Sequence, residues 1–251
     1  MPILLRNQFN NSREDILEVE TPEPLTPKHV TVPHKFFVEE AEKNFVGKGL
    51  DIKEEKYFLS RDKMKYAGVY ILDRKLNEPT EDLNEQHNPD LMLSFVNSND
   101  KTMSAGVFFG THMPSCTNVG WWDSFWIKRR HIGSVMEDLS ISIKSFFDNL
   151  ENNILGYNQL MDHYKETSID DLTAKGIIVE GAKEKVIPSS KILPVVKEWD
   201  KPSFEYDNNE KNLYRLHNSF TTVMRCYKHN PIVSPKRSFK LMNVLNSYKS
   251  F

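Results

Sequence analysis

The sequence predicts an α+β fold: a mainly antiparallel sheet packed against a long amphipathic helix, followed by a helical, basic C-terminal region. Three observations predict it. Runs rich in β-branched and aromatic residues recur at about 50–59, 65–73, 90–97 and 102–110, and turn-forming residues divide them, which reads as consecutive strands. Ile132, Val135, Met136, Leu139, Ile143, Phe146, Phe147, Leu150 and Ile154 then hold one apolar stripe at helical spacing, predicting a core helix over roughly 132–155. Residues 211–251 carry eight Lys and Arg with no Asp or Glu, so this tail is +8 and the other 210 residues are −10.

Before the first strand, Pro33 suits a first helical position, and Phe37, Ala41 and Phe45 recur every four residues up to Gly47 and Gly49. A short amphipathic helix over about 33–47 follows. Leu76 to Asp90, with Pro79, Pro89 and many Asp, Glu and Asn residues, reads as a solvated loop inside the strand series. Asn97 to Lys101 lies between two strand candidates, and Asn, Ser and Asp there bond their own backbone, predicting a hairpin turn. After the core helix, Tyr157 to Glu166 predicts a shorter helix, and Thr167 to Ser203 reads as broken helices or extended connectors because of its glycines and prolines. Leu213, Leu216, Phe220, Val223, Met224 and Tyr227 form a further helical stripe. Ser234-Pro235 starts a last helix through Leu241, Val244, Leu245 and Tyr248. The organisation expected is a core domain at 1–166, an irregular connector at 167–208 and a basic helical region at 209–251 packed on the core.

With 251 residues, 39% hydrophobic and 27% charged, the chain can bury a sizeable core, and no apolar run reaches the ~18 residues of a membrane span. The first residues lack a secretory pattern, and Cys116 and Cys226 are too few for a disulfide framework or a four-cysteine zinc site. An intracellular, cytoplasmic address is the expectation.

Candidate chemistry is sparse. His112, Cys116, Asp123 and His131 are zinc-ligand types, but Pro114-Ser115 makes a turn between the closest pair and no second close pair exists. A nucleophile from Ser98 with Asp100, or from Cys116 with His131, has no framing motif. Asn97, Asp100, Cys116 and Asn118 remain a polar cluster that an enzyme could use. Asp51, Glu54, Glu55 and Lys56 offer carboxylates for a metal-dependent nuclease, provided they converge on ions ~4 Å apart. Gly47-Lys48-Gly49 lacks the spacing of a phosphate loop. The expectation is no catalytic residue, no metal and no cofactor.

Nucleic acid is better served. Lys128-Arg129-Arg130-His131 follows Trp121, Trp122, Phe125 and Trp126, combining phosphate-binding cations with rings able to stack on bases. The basic tail interleaves Tyr214, Phe220, Tyr227, Phe239 and Tyr248 with its charges. Helix-spaced aromatics also make a core, and the tail charges can instead neutralise the acidic body. The residues assigned to phosphate contact are Lys128, Arg129, Arg130, His131, Arg225, Lys236 and Arg237.

The order of short motifs adds a resemblance. Val32-Pro33-His34-Lys35, the Gly-Lys-Gly helix end, Glu-Glu-Lys-Tyr-Phe-Leu-Ser, Phe-Val-Asn-Ser-Asn-Asp-Lys-Thr, Gly-Thr-His-Met-Pro-Ser-Cys-Thr-Asn and Lys-Arg-Arg-His together resemble the phage- and plasmid-type family called domain of unknown function 932. The likeness spans about Val32 to Asp138, and the segment Leu213 to Thr221 is similar to a further motif of that family. Thr111-His112-Met113-Pro114 departs from it, standing where the family has a more apolar strand. The resemblance implies a mobile-element setting in a bacterial host and no agreed activity. Two kinds of partner fit that setting: DNA, contacted through the basic residues, or a host protein, contacted through the aromatic segment Trp121 to Trp126.

Overall fold

The computed structural model describes residues 11–75, 90–112, 119–203, 210–225 and 233–248. Short helix α1 (Arg13–Leu17) begins at Ser12, whose side chain and Asp15 form a reciprocal capping box. Helix α2 (His34–Gly47) follows Pro33, as the spacing predicts. Five antiparallel strands then pair strictly in sequence order: β1 (Ile52–Leu59), β2 (Lys65–Lys75), β3 (Asp90–Ser98), β4 (Ala105–His112) and β5 (Val119–Arg129). The turn after Ser98 is the predicted hairpin, with Lys101 at φ 64°.

Period-two alternation sends the strands' side chains to two covered faces. On one face Tyr66, Tyr70, Leu91, Leu93, Phe95, Val107 and Phe109 meet Phe37, Ala41 and Phe45 of α2 and Leu139, Ile143, Phe146 and Phe147 further on. On the other, Ala67, Ile71, Met92, Val96 and Phe108 receive Phe239 from the C-terminal helix. Central strand β3 is consequently buried at every position.

Three differences from the sequence reading concern residues 119–166. The predicted helix at 132–155 is two helices, α3 (Val135–Asp148) and α4 (Leu150–Glu166), and α4 absorbs the separate helix expected from Tyr157. At the break Asn149 Nδ2 donates to Ser145 O (2.9 Å) and Asn153 Nδ2 to Phe146 O (3.2 Å), side-chain bonds that compete with the helical ladder. Ile132 and Met136, at the start of the stripe, are exposed. Residues 119–129, read as an aromatic-basic lead into the helix, form a fifth strand.

Of the two readings of 167–203, broken helices or extended connectors, the structure has helices: α5 (Asp171–Lys183), a 3-10 turn and α6 (Ile192–Asp200). These helices pack with α4, α7 (Leu213–Met224) and α8 (Val233–Asn246) around Tyr164, Ile177, Ile178, Trp199, Leu216, Phe220, Leu241 and Leu245. Helix α8 serves two cores: Phe239 covers the sheet, and Leu241, Val244 and Leu245 face the helices. No helix among the described residues is long and apolar enough to cross a membrane.

Candidate functional site

The β3–β4 turn is held against residues 25–34 by buried amides. Asn99 Oδ1 accepts from Val32 N (3.0 Å) and Asn99 Nδ2 donates to Val32 O (3.0 Å), so one side chain mimics a strand partner. Asn97 Nδ2 donates to the same Val32 O (2.7 Å) and to His34 Nδ1 (2.9 Å), and His34 Nε2 donates to Lys63 O (2.8 Å). Two residues earlier, Val30 N donates to His131 O (2.9 Å), and His131 Nδ1 returns a bond to Val30 O (3.1 Å). The segment before α2 is thus sewn to the turn on one side and to the end of β5 on the other.

Two adjoining pockets open where these pieces meet. The larger, about 410 Å³, is lined by Thr26, Lys28 and His29, by Lys101 to Ser104 of the turn, and by Arg130, His131 and Ile132. The smaller, about 200 Å³, shares Thr102, Met103 and Ser104 and adds Lys128 of β5 and Lys236 of α8. Lys28, Lys101, Lys128, Arg130 and Lys236 are all exposed. No carboxylate is among the lining residues of either pocket.

The neighbouring carboxylate, Asp100, is already engaged: its Oδ1 accepts from Ser98 Oγ, from Thr102 N (3.1 Å) and from Thr102 Oγ1 (2.7 Å), and its Oδ2 pairs with Lys65 Nζ (3.1 Å). Burial disfavours its charge, but Ser98, Thr102 and Lys65 outweigh that and hold it well below the usual carboxylate range. The two lining histidines are lowered as well, which for an imidazole favours the neutral form. Burial lowers His131 and then His29 adds to the effect; burial likewise lowers His29, with Lys101 adding to it.

The predicted phosphate-contacting residues divide. Strand alternation sends Lys128 to the α8 side, while Arg129 turns to the other face, its Nη2 donating to Ser142 Oγ of α3 (2.6 Å). Arg130 and His131 line the larger pocket. From the described residues of the tail only Lys236 joins them. Arg237 Nη1 donates to Val186 O (2.6 Å) past the end of α5, and Arg225 Nε donates to Thr222 O (3.2 Å). Other described tail cations have acceptors within the protein: Lys211 pairs with Asp171, and Arg215, Arg237 and Lys240 hold the carbonyls of Trp199, Val186 and Glu184.

Asn97 and Asp100 of the polar cluster organise the turn and its attachment, and Cys116 and Asn118 lie outside the described residues. His112 and His131 stand at opposite ends of the β4–β5 pair, where Ala105 opposes Arg129 and His112 opposes Val119, so they cannot share a metal. Glu54 pairs with Lys56 (2.7 Å) and Glu55 accepts from Tyr57 Oη (3.0 Å). Among the described residues, no group of three or more His, Cys, Asp or Glu could hold a metal ion. Sequence reasoning missed Lys28, His29 and Ser104 as site residues, and it read Lys101 only as part of a turn.

Comparison with known proteins adds no relative: no family model, no curated protein and no solved structure matches the chain.

Proposed function

We propose that this is a non-enzymatic nucleic-acid-binding protein of a mobile genetic element, contacting DNA phosphates through the rim of the two pockets. One observation carries the reading: five exposed cations from four separate chain segments converge on adjoining pockets with no carboxylate in their lining. Cations gathered that closely repel one another in the free protein, and an anionic polymer relieves the repulsion while releasing its own counterions. The contact set is Lys28, Lys101, Lys128, Arg130 and Lys236, replacing Arg129, Arg225 and Arg237, whose guanidinium groups serve internal acceptors.

The test is binding to single- and double-stranded DNA across a salt series. In the variant carrying Lys28→Gln, Lys101→Asn, Arg130→Gln and Lys236→Gln, four phosphate contacts are removed, and the slope of log K against log salt for duplex should become shallower by about 3.6. Asn at 101 tolerates the positive φ of that turn. Arg129→Gln should bind as the parent does. An unchanged slope in the fourfold variant, or no binding by the parent at any salt, overturns the proposal.

A further inference from the structure

The larger pocket has a floor that a rim contact with DNA does not use. His29 and His131 both line it, their ring centroids 5.6 Å apart, and they are only 5% and 6% exposed. His29 Nδ1 accepts from Leu25 N (3.1 Å), so its ring proton sits on Nε2. His131 Nδ1 donates to Val30 O, which leaves Nε2 as a bare acceptor when the ring is neutral. Neither Nε2 has a hydrogen-bond partner, although both atoms are buried. Buried polar atoms are ordinarily satisfied, so two orphans on adjoining rings beneath a cationic rim mark a position suited to a polar guest.

We propose that this pocket binds a phosphate group with three unesterified oxygens, held by Lys28, Lys101 and Arg130 at the rim and by the His29–His131 pair below. The inference rests on the nucleic-acid reading for its ligand class and adds a specific subsite to it. An internal phosphodiester is flanked by two sugars that keep it at the surface, whereas a terminal or free phosphate can descend toward the imidazoles. It also brings close to two negative charges at neutral pH. His29 Nε2–H donates to an inner oxygen, and His131 takes up a proton at Nε2 and donates likewise, so the guest raises the proton affinity of the pair. The charged groups around the pair are Lys28, Lys101, Arg130 and Asp100, and Asp100 stays ionised throughout.

The experiment follows the histidine ring signals of the full chain by NMR during titration with inorganic phosphate. Oligonucleotides of one sequence, with and without a 5′-phosphate, are then compared for affinity. Saturable shifts of the His29 and His131 signals toward imidazolium, lost in Arg130→Gln and in His131→Gln, are the expected result. Arg130 is exposed, so its variant keeps the test intact where His131→Gln does not fold. A preference of about tenfold for the phosphorylated strand identifies a strand end as the source. Phosphate saturation with equal oligonucleotide affinities identifies the free ion, which still supports the site. Histidine signals that do not respond to phosphate overturn the proposal, even where both oligonucleotides bind. Failure of both oligonucleotides overturns the nucleic-acid reading while the phosphate titration still decides the pocket.

Discussion

Replacing Asn99 by Ala should destabilise the protein by about 2–4 kcal/mol and, through the same defect, weaken the candidate site. Asn99 is 1% exposed and makes two bonds with Val32, itself fully buried. Each bond contributes about 1 kcal/mol net. Their losses are unequal, because Val32 O keeps its bond from Asn97 (2.7 Å) while Val32 N is left without an acceptor. A buried N–H without a partner costs about 1–3 kcal/mol, which dominates the sum. Urea unfolding followed by circular dichroism measures the change. With a slope of about 3 kcal/mol/M, the midpoint should fall by roughly 1 M at constant slope. Val32 ties the 25–34 segment to the turn, so Lys28 and His29 should also lose their fixed place opposite Lys101 and Arg130. DNA affinity should therefore fall in a variant that retains all the rim charges. A loss of stability below about 1 kcal/mol would refute the reasoning, since it would mean that Val32 N readily finds another partner.

Two further predictions concern the cores. At Gly68 an added Cβ would collide with Tyr66 Oη and stand 3.0 Å from Tyr66 Cζ, and Tyr66 is held between His34 and Phe37 with rings 5.5 and 6.0 Å away. Gly68→Ala should therefore cost about 1–3 kcal/mol in urea unfolding, with part recovered when Tyr66→Phe removes the nearer atom; additive losses would contradict this. His217 in the helical core is pushed down to about 4 by burial, against an ordinary value of 6.5. A lowered histidine favours the neutral folded state, so its contribution is complete above pH 6.5 and declines as pH falls from there toward 4. Between pH 7.5 and 4.5 unfolding free energy should drop by about 2–3 kcal/mol from this group, and His217→Phe should flatten the profile over that window. An equally steep decline in the variant would assign the effect elsewhere.

Much of the fold is legible where one periodicity dominates. Pro33 and the Phe37, Ala41, Phe45 spacing define α2, and the β3–β4 hairpin follows from Asn97 to Lys101 because the side chains that make the turn are adjacent in sequence. The break at Asn149 is hidden because the apolar stripe continues across it: Phe147, Leu150 and Ile154 remain in one core although the helix does not. Strand β5 is hidden for a related reason, its aromatic residues and closing basic run reading equally well as a preface to α3. The signal that could have revealed α1 is Ser12-x-x-Asp15. The site is less legible than the fold. Lys128 to His131 stands out as local charge, but Lys28 and His29 arrive through Val30–His131 and Val32–Asn99, pairings 101 and 67 residues apart. The destination of Arg215, Arg237 and Lys240 is equally obscure in sequence, since each holds a backbone carbonyl, which every residue possesses.

The proposed phosphate site divides capture from selection. Long exposed cations on a rim act at a distance and contribute an attraction that salt screens, with little regard to which phosphate they meet. Buried imidazoles act only on a group that reaches them, and their response depends on protonation more than on ionic strength. Strand geometry makes the division possible: past residue 127, successive side chains alternate, so Arg129 is withdrawn to α3 while Lys128 and Arg130 stay on the pocket side and His131 closes back on Val30. Substitution of Lys236, which lines only the smaller pocket, should accordingly change the salt slope without altering discrimination between phosphorylated and unphosphorylated ends. Substitution of His131 should abolish the discrimination and leave the slope in place. If both properties moved together in every variant, rim and floor would form one undivided electrostatic surface, and the histidines would have no role of their own.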